Sequence, residues 1–183
     1  SNGAQTWAFS AAMAQDWGEV KNAQEKSDLD PYDPSDLTGN EKQIYEAMQK
    51  GDFKKAISMT LDEYDDLLDL EKSQKIEFSS SISGDGHVNK DGVIQLSKSA
   101  FDRGPEWLAS TIYHENIHYK QHFWGSIANG EQAHIYEARA YKGQWSMSSS
   151  FGLSYAEAGV LYSRIDYHCS FVSSGNSQVS GVC

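Results

Sequence analysis

Basic residues are scarce in this 183-residue sequence. Lysine and arginine together number 15, against 26 aspartates and glutamates, and the formal net charge at pH 7 is −11. A protein that binds nucleic acid through its phosphate backbone needs a basic face to do so. The sequence therefore predicts no nucleic-acid partner. Its acidic excess would suit a basic protein partner instead.

Cysteine is almost absent, with only Cys169 and Cys183 near the end of the chain. Two cysteines are too few for a disulfide framework, and their spacing is not that of a CxxC pair of zinc ligands. Two interpretations stay open. Either the pair forms a disulfide that closes a short loop and indicates an oxidising compartment, or both residues are free thiols.

Long hydrophobic runs are also missing. No apolar stretch approaches the roughly 20 residues that cross a bilayer, so no membrane span is predicted. The first residues, SNGAQTWAFS, lack a basic segment and are not expected to be a secretory signal. Hydrophobic residues nevertheless make up 39% of the chain and aromatic residues 12%. This composition predicts one globular domain with a real core and room for an appended subregion.

The order of the sequence patterns predicts an α+β fold in which helices dominate. Residues 1–74 are expected to form an N-terminal helical region, either a cap or a subdomain. This region is expected to begin with an amphipathic helix over residues 5–26. Residues 75–183 are expected to form the main domain.

The main domain is expected to begin with a small antiparallel β-hairpin. Two strand-like runs, KIEFSSSIS and GVIQLSKSAF, flank the glycine-rich segment GDGHVNKDG, which we interpret as the turn. Three helical segments follow from Pro105 onwards. The polar tail FVSSGNSQVSGVC is expected to be extended or disordered.

The segment HENIH fits the pattern H-E-x-x-H. On a helix, residues four apart lie about 6 Å apart along the axis and face nearly the same way, so His114 and His118 can converge on one metal ion. Glu115 lies about 100° around the helix from His114, where it can reach a metal-bound water. His122 lies about 12 Å from His114 along a straight helix and is excluded from the same site. The pattern predicts a zinc site with Glu115 as the general base.

A third protein ligand is expected on the next helix. Its sequence, NGEQAHIYEARAY, offers Glu131, His134 and Glu137, and the preceding GSIANG predicts a turn that lets the two helices pack antiparallel. Glu137 follows His118 by 19 residues, which suits such a return. Two alanines soon after it permit close helix packing. Glu137 is therefore the predicted third ligand, and His134 is the alternative.

The two segments HENIHYKQ and NGEQAHIYEARAY together resemble the gluzincin metallopeptidases, in which H-E-x-x-H is completed by a glutamate on the next helix. They are similar in particular to small bacterial metallopeptidase domains of the form HExxHxxQ…ExxA. The resemblance covers residues 91–142. It implies a zincin-like domain that binds Zn2+ through His114, His118 and Glu137 and hydrolyses a protein or peptide substrate with Glu115 as the base.

The same resemblance implies a biological setting. Some of the similar bacterial domains are C-terminal toxin modules of large secreted proteins. The protein is accordingly expected to be secreted, or delivered to a target cell as part of a larger bacterial protein, as a toxin or effector. A cognate immunity protein is then an expected partner. Release from a larger carrier would also account for the missing signal.

One feature agrees with the resemblance and one departs from it. In zincins a strand just before the zinc helix forms the edge that holds an extended peptide, and GVIQLSKSAF is similar in position and type. Thermolysin-like members usually carry an aspartate four residues after the ligand glutamate, bonded to the first histidine. Here that residue is Tyr141. The partner of His114 is therefore expected elsewhere.

A donor that stabilises the tetrahedral oxyanion is also expected in a peptidase. We select His168, with Tyr162 as the alternative, because the last helix can close over the site. Two other functions stay open. One is a non-catalytic zinc-binding interaction module, in which His134 joins Glu137 and saturates the metal. The other is a cell-wall peptide hydrolase that uses the same metal chemistry.

Overall fold

Helices dominate the computed structural model, which describes residues 26, 28–122 and 130–183. The helix predicted over residues 5–26 lies outside this part of the chain, apart from its last position. None of the described helices is long and apolar enough to cross a bilayer. Seven α-helices are described: α1 (Gly39–Gln49), α2 (Phe53–Glu63), α3 (Asp65–Leu68), α4 (Pro105–Lys120), α5 (Glu131–Ser146), α6 (Ser148–Phe151) and α7 (Tyr155–Cys169).

Three short strands form a small sheet ahead of α4: β1 (Ile76–Phe78), β2 (Gly86–Val88) and β3 (Ile94–Leu96). The strand order is β1-β3-β2, with β3 parallel to β1 and antiparallel to β2. Two short 3-10 helices complete the described elements, at Lys98–Phe101 and Ser177–Val179. The predicted α+β class, with dominant helices and an antiparallel hairpin ahead of the HENIH helix, is confirmed.

The hairpin is formed by different residues than we predicted. The runs that contain β1 and β3 were expected to pair across GDGHVNKDG, but that segment contributes β2, and β1 and β3 run parallel. The turn between β2 and β3 depends on Asn89, whose side-chain oxygen accepts hydrogen bonds from the backbone N–H groups of Asp91 and Val93. Because the segment is mostly polar, its composition did not indicate a strand. The strand is anchored by Val88, whose side chain packs in the core.

Among the described residues, the hydrophobic core has two parts, and α4 contributes to both. The larger part joins α1, the residues around α3 and the sheet to α4, and it includes the fully buried Ile44, Leu68 and Ile112. The smaller part joins α4, α5 and α7 and includes Trp107 and Tyr141. Residues of the predicted N-terminal region thus share a core with the HENIH helix. Because α4 is packed on more than one side, the side chains that it presents are held in fixed positions.

The last residues of the chain are folded, so the prediction of an extended or disordered tail was wrong. Cys169 and Cys183 form a disulfide, with their Cα atoms 5.5 Å apart. Glu131 on α5 accepts hydrogen bonds from the backbone and hydroxyl groups of Ser173 and from the side chain of Asn176. The tail is ordered because its polar groups pair with α5, a possibility that composition alone does not reveal.

Candidate metal centre

Two helices supply three potential metal ligands. His114 and His118 lie one turn apart on α4, and Glu137 lies on α5. The Nε2 atoms of the two histidines are 3.1 Å apart. Oε2 of Glu137 is 3.5 Å from Nε2 of His114 and 3.4 Å from Nε2 of His118. The structure thus brings the three predicted ligands together in a group that could hold a metal ion.

The size of this triangle suits a small tetrahedral ion. In protein zinc sites the metal lies about 2.0–2.1 Å from histidine nitrogens and carboxylate oxygens, so two ligand atoms are about 3.3 Å apart. The observed separations of 3.1, 3.4 and 3.5 Å bracket this value. Among the described residues, no fourth histidine, cysteine or acidic side chain joins the group. A tetrahedral ion held by these three ligands would have a fourth position for another group.

Hydrogen bonds on the far side of each imidazole ring determine which nitrogen faces the metal. Nδ1 of His114 lies 3.1 Å from Oε1 of Gln144, and Nδ1 of His118 lies 3.0 Å from Oε1 of Gln121. Because an amide oxygen can only accept, each Nδ1 carries the proton and donates it. Each Nε2 can then present its lone pair to a metal.

Gln144 is the partner of His114 that the sequence did not reveal. It is a buried residue of α5, and its amide group donates to the hydroxyl of Ser110, which donates to the backbone carbonyl of Trp107. Tyr141, which stands where the resemblance implies an aspartate, packs its ring 4.3 Å from the ring of His114. No local pattern marks Gln144, since it lies 30 residues from the histidine that it contacts.

Without a bound ion, the ligand side chains stabilise one another electrostatically. Burial lowers the pKa of His118, but the carboxylates of Glu137 and Glu115 outweigh that effect and raise it to about 9. Burial lowers the pKa of His114, which is therefore neutral at pH 7. Burial disfavours ionised Glu137, but the two imidazoles hold its pKa well below the usual range. A metal ion that binds here must displace one proton, from His118.

Glu115, the predicted general base, is also buried, with 5% of its surface exposed. Burial raises the pKa of its carboxyl group to about 8, with His118 opposing and the charges of Glu137 and Asp85 adding to the increase. Gly86 of β2 lies against this side chain. A Cβ atom at position 86 would be 2.7 Å from both Cγ and Oε1 of Glu115. No sequence pattern indicates this contact, and any side chain at position 86 would force Glu115 to shift.

His168, the predicted oxyanion-stabilising residue, lies on α7 close to the ligands. Its ring stacks on that of Tyr141 with centroids 5.6 Å apart, and its Nδ1 is 3.0 Å from Nδ1 of His134. Burial lowers the pKa of His168 to about 4, partly opposed by Glu137. The ring is therefore neutral at pH 7 and keeps an N–H group.

The other residues considered for the site, His134, Tyr162 and His122, are not part of the group of three ligands. His134 is paired with His168 and lies outside the ligand group. Tyr162 is 49% exposed and packs on Trp145, with ring centroids 5.6 Å apart. His122 is an exposed residue just beyond the end of α4 and has a positive φ of 54°.

The strand that borders the centre is β2 and not the one that we expected. The run that contains β3 was predicted to be the sheet edge that holds a peptide, but β3 is the central strand. β2 occupies an outer position in the sheet and meets α4 where Gly86 contacts Glu115. The prediction failed because GDGHV looks like a turn and was not considered as a strand.

Glu137 is the most exposed of the three ligands. Its side chain is 28% exposed, compared with 7% for His114 and 5% for His118. His134, one turn earlier on α5, stacks on the exposed Phe171 with ring centroids 4.3 Å apart. A pair of stacked rings therefore lies one helical turn from the most exposed ligand.

No protein-family model matches the chain, and no curated protein or solved structure is significantly similar to it. The function must therefore be inferred from the geometry and chemistry of the centre itself.

Proposed function

We propose that the protein is a zinc-dependent peptidase of gluzincin type that acts on a protein or peptide substrate. One observation carries the proposal: the triangle of His114, His118 and Glu137 has edges suited to tetrahedral zinc, with Glu115 buried nearby. Two imidazoles and one carboxylate suit zinc better than magnesium or calcium, which prefer oxygen ligands. The open fourth corner favours catalysis over a purely structural ion.

In this proposal the side chains divide the work of hydrolysis. When bound, zinc lowers the pKa of a water molecule and polarises a carbonyl group. Glu115 accepts the proton of the attacking water and passes it to the leaving amine. A carboxylate whose pKa is raised by burial is a stronger base than an exposed one, and a nearby dication favours its ionised form at neutral pH.

We assign stabilisation of the oxyanion to His168. A neutral imidazole retains an N–H group that can donate to a developing negative charge. The stacking of His168 on Tyr141 and its electrostatic interaction with all three ligands support this role. The alternative, Tyr162, is directed into a contact with Trp145.

The biological setting that we propose is that of a bacterial toxin or effector, delivered as part of a larger protein and neutralised by a cognate immunity protein. The resemblance of the HENIH region supports this role. The disulfide between Cys169 and Cys183 supports export, because such bridges persist in oxidising compartments.

Metal content and peptide hydrolysis test the proposal together. We expect one zinc per chain by elemental analysis in the wild type and in Glu115→Gln, and loss of zinc in Glu137→Ala. Glu131→Ala is the matched control, because Glu131 lies on the same helix but binds the tail. Cleavage of a peptide library, followed by mass spectrometry, should be about 10²–10⁴-fold slower in Glu115→Gln than in the wild type.

Each outcome has a clear meaning. Undiminished hydrolysis by Glu115→Gln would exclude the proposed base. Zinc bound in the absence of any hydrolysis would favour the non-catalytic module. Cleavage of muropeptides but not of the peptide library would identify a cell-wall hydrolase. Zinc retained in Glu137→Ala would mean that a residue other than Glu137 is the third ligand.

A further inference from the structure

Arg164 is a buried cation that contacts three parts of the structure around the metal centre. It lies on α7 with 4% of its surface exposed. Its guanidinium carbon is 5.6 Å from the ring centroid of Trp107 on α4 and 5.4 Å from that of Tyr141 on α5. Its Nη1 atom is 3.8 Å from Oδ2 of Asp85, the residue before β2. Burying a charge is costly unless it is paired, so such an arrangement must be held by specific contacts.

The contact of Arg164 with Asp85 extends to the proposed base, Glu115. The carboxylate of Asp85 is held by Arg164 and also accepts hydrogen bonds from Lys26 and from the hydroxyl of Ser99, each at 2.7 Å. Asp85 is thereby fixed at the start of β2. The next residue is Gly86, whose backbone packs against the side chain of Glu115.

The contact of Arg164 with Tyr141 extends to the metal ligand His114. The ring of Tyr141 contacts both residues: its centroid is 5.4 Å from the guanidinium carbon of Arg164 and 4.3 Å from the ring centroid of His114. A shift of this tyrosine would remove the ring contact of His114 and leave its hydrogen bond to Gln144 and its contacts with the other two ligands.

We propose that Arg164 is a positioning residue that sets the placement of His114 relative to Glu115. Its planar guanidinium lies near two rings and presents a fixed fork of donors to a carboxylate, a geometry that the flexible ammonium group of a lysine does not reproduce. The part of the proposal that concerns His114 requires only metal binding. The part that concerns Glu115 rests on the proposed peptidase function.

A second buried ion pair provides the comparison. Nε of Arg103 is 2.7 Å from Oε1 of Glu157, and both side chains are largely buried. Glu157 also belongs to the capping box at the start of α7. This pair stabilises the fold in a similar way but contacts none of the metal ligands or Glu115 through the bonds described.

The experiment uses protein loaded with Co2+, whose visible absorption bands respond to the geometry of the ligands. We expect Arg164→Met to shift these bands and Arg164→Lys to shift them less, with metal stoichiometry unchanged. Arg103→Met should lose thermal stability but keep the wild-type spectrum. With zinc-loaded protein and a cleaved peptide, Arg164→Met should lower kcat on the order of 10²-fold with little change in KM, as expected for a misplaced catalytic group.

The proposal is overturned if folded Arg164→Met and Arg164→Lys both give the wild-type Co2+ spectrum, or if Arg103→Met shifts it equally. If Arg164→Met does not fold, Arg164→Lys and Asp85→Asn take its place. Asp85→Asn is expected to lower kcat with a smaller spectral change, and an unchanged kcat would exclude the contribution to Glu115. If the wild type hydrolyses no peptide, the peptidase proposal fails, while the Co2+ spectra still decide whether Arg164 positions His114.

Discussion

Each ligand histidine is held in its orientation by a glutamine. The Nδ1 atoms of His114 and His118 donate to amide oxygens of Gln144 and Gln121, so each ring is held with its Nε2 atom facing the other ligands. A metal that binds to pre-oriented rings loses little affinity to side-chain ordering. The two glutamines should therefore contribute to metal affinity although neither contacts the metal.

We expect Gln144→Ala to weaken zinc binding by about 10–100-fold, the usual effect of removing a partner of a metal ligand. Competition with a chromophoric chelator measures the change. Gln132→Ala is the control, since Gln132 is a glutamine on the same helix that bonds instead to Gln178. Equal affinities of the two variants would show that the orientation of His114 does not depend on Gln144.

The HENIH segment itself could be recognised from sequence because its geometry is local. Residues four apart on any helix share a face, so His114 and His118 were placed correctly relative to each other before the fold was known. Gln144, Gly86 and Arg164 could not be recognised. Their contacts with the centre join residues far apart in sequence, and glutamine, glycine and arginine have many ordinary roles.

At the scale of elements, β2 is the strand that packs against Glu115. It meets α4 at Gly86, where no side chain fits between the strand and the carboxyl group. The residues beside β2 in the sequence are polar. A strand of three residues is also too short for an alternation of polar and apolar side chains to be recognised. For the same reason the parallel pairing of β1 with β3 was not predicted, whereas the long helices α4, α5 and α7 were.

We expect Gly86→Ala to lower peptide hydrolysis at least about tenfold while zinc remains bound, because the new Cβ would displace Glu115 and leave the ligands in place. Metal analysis and kcat on the same sample give the result. Gly159→Ala on α7 is the matched control. Among the described residues, no atom beyond the adjacent residues and the local helix backbone lies within 4 Å of a Cβ at that position, and alanine favours a helix by about 1 kcal/mol. Wild-type kcat in Gly86→Ala would contradict the assigned position of the base.

At the scale of the whole molecule, metal binding, protonation and stability are linked through His118. Its pKa is raised in the fold, from 6.5 to about 9. Without metal, protonated His118 contributes stability that is fully present below pH 6.5 and is lost as the pH rises through about 9. Zinc has the opposite dependence, because it requires the neutral ring.

We expect zinc to raise the unfolding temperature more at pH 8 than at pH 6. Because His118 must lose a proton before zinc binds, the affinity of the protein for zinc should increase about tenfold per pH unit wherever His118 is protonated in the metal-free protein. Thermal unfolding with and without zinc at several pH values measures the effect. Calorimetric titration in two buffers of different ionisation enthalpy should give between about one and two protons released per zinc at pH 7, one from His118 and the remainder from Glu115 as the metal favours its ionised form. A release near zero would mean that His118 is already neutral.

The unequal exposure of the three ligands also has a consequence for inhibition. Glu137 is the most exposed of the three ligands, so we expect a chelating compound to approach past it. The ring of His134 lies one helical turn from Glu137 and stacks on Phe171, and we expect such a compound to contact these rings. A metal-binding group attached to a flat aromatic body should therefore inhibit more strongly than the same group on a bulky aliphatic one, and its potency should fall when Phe171 is replaced by alanine.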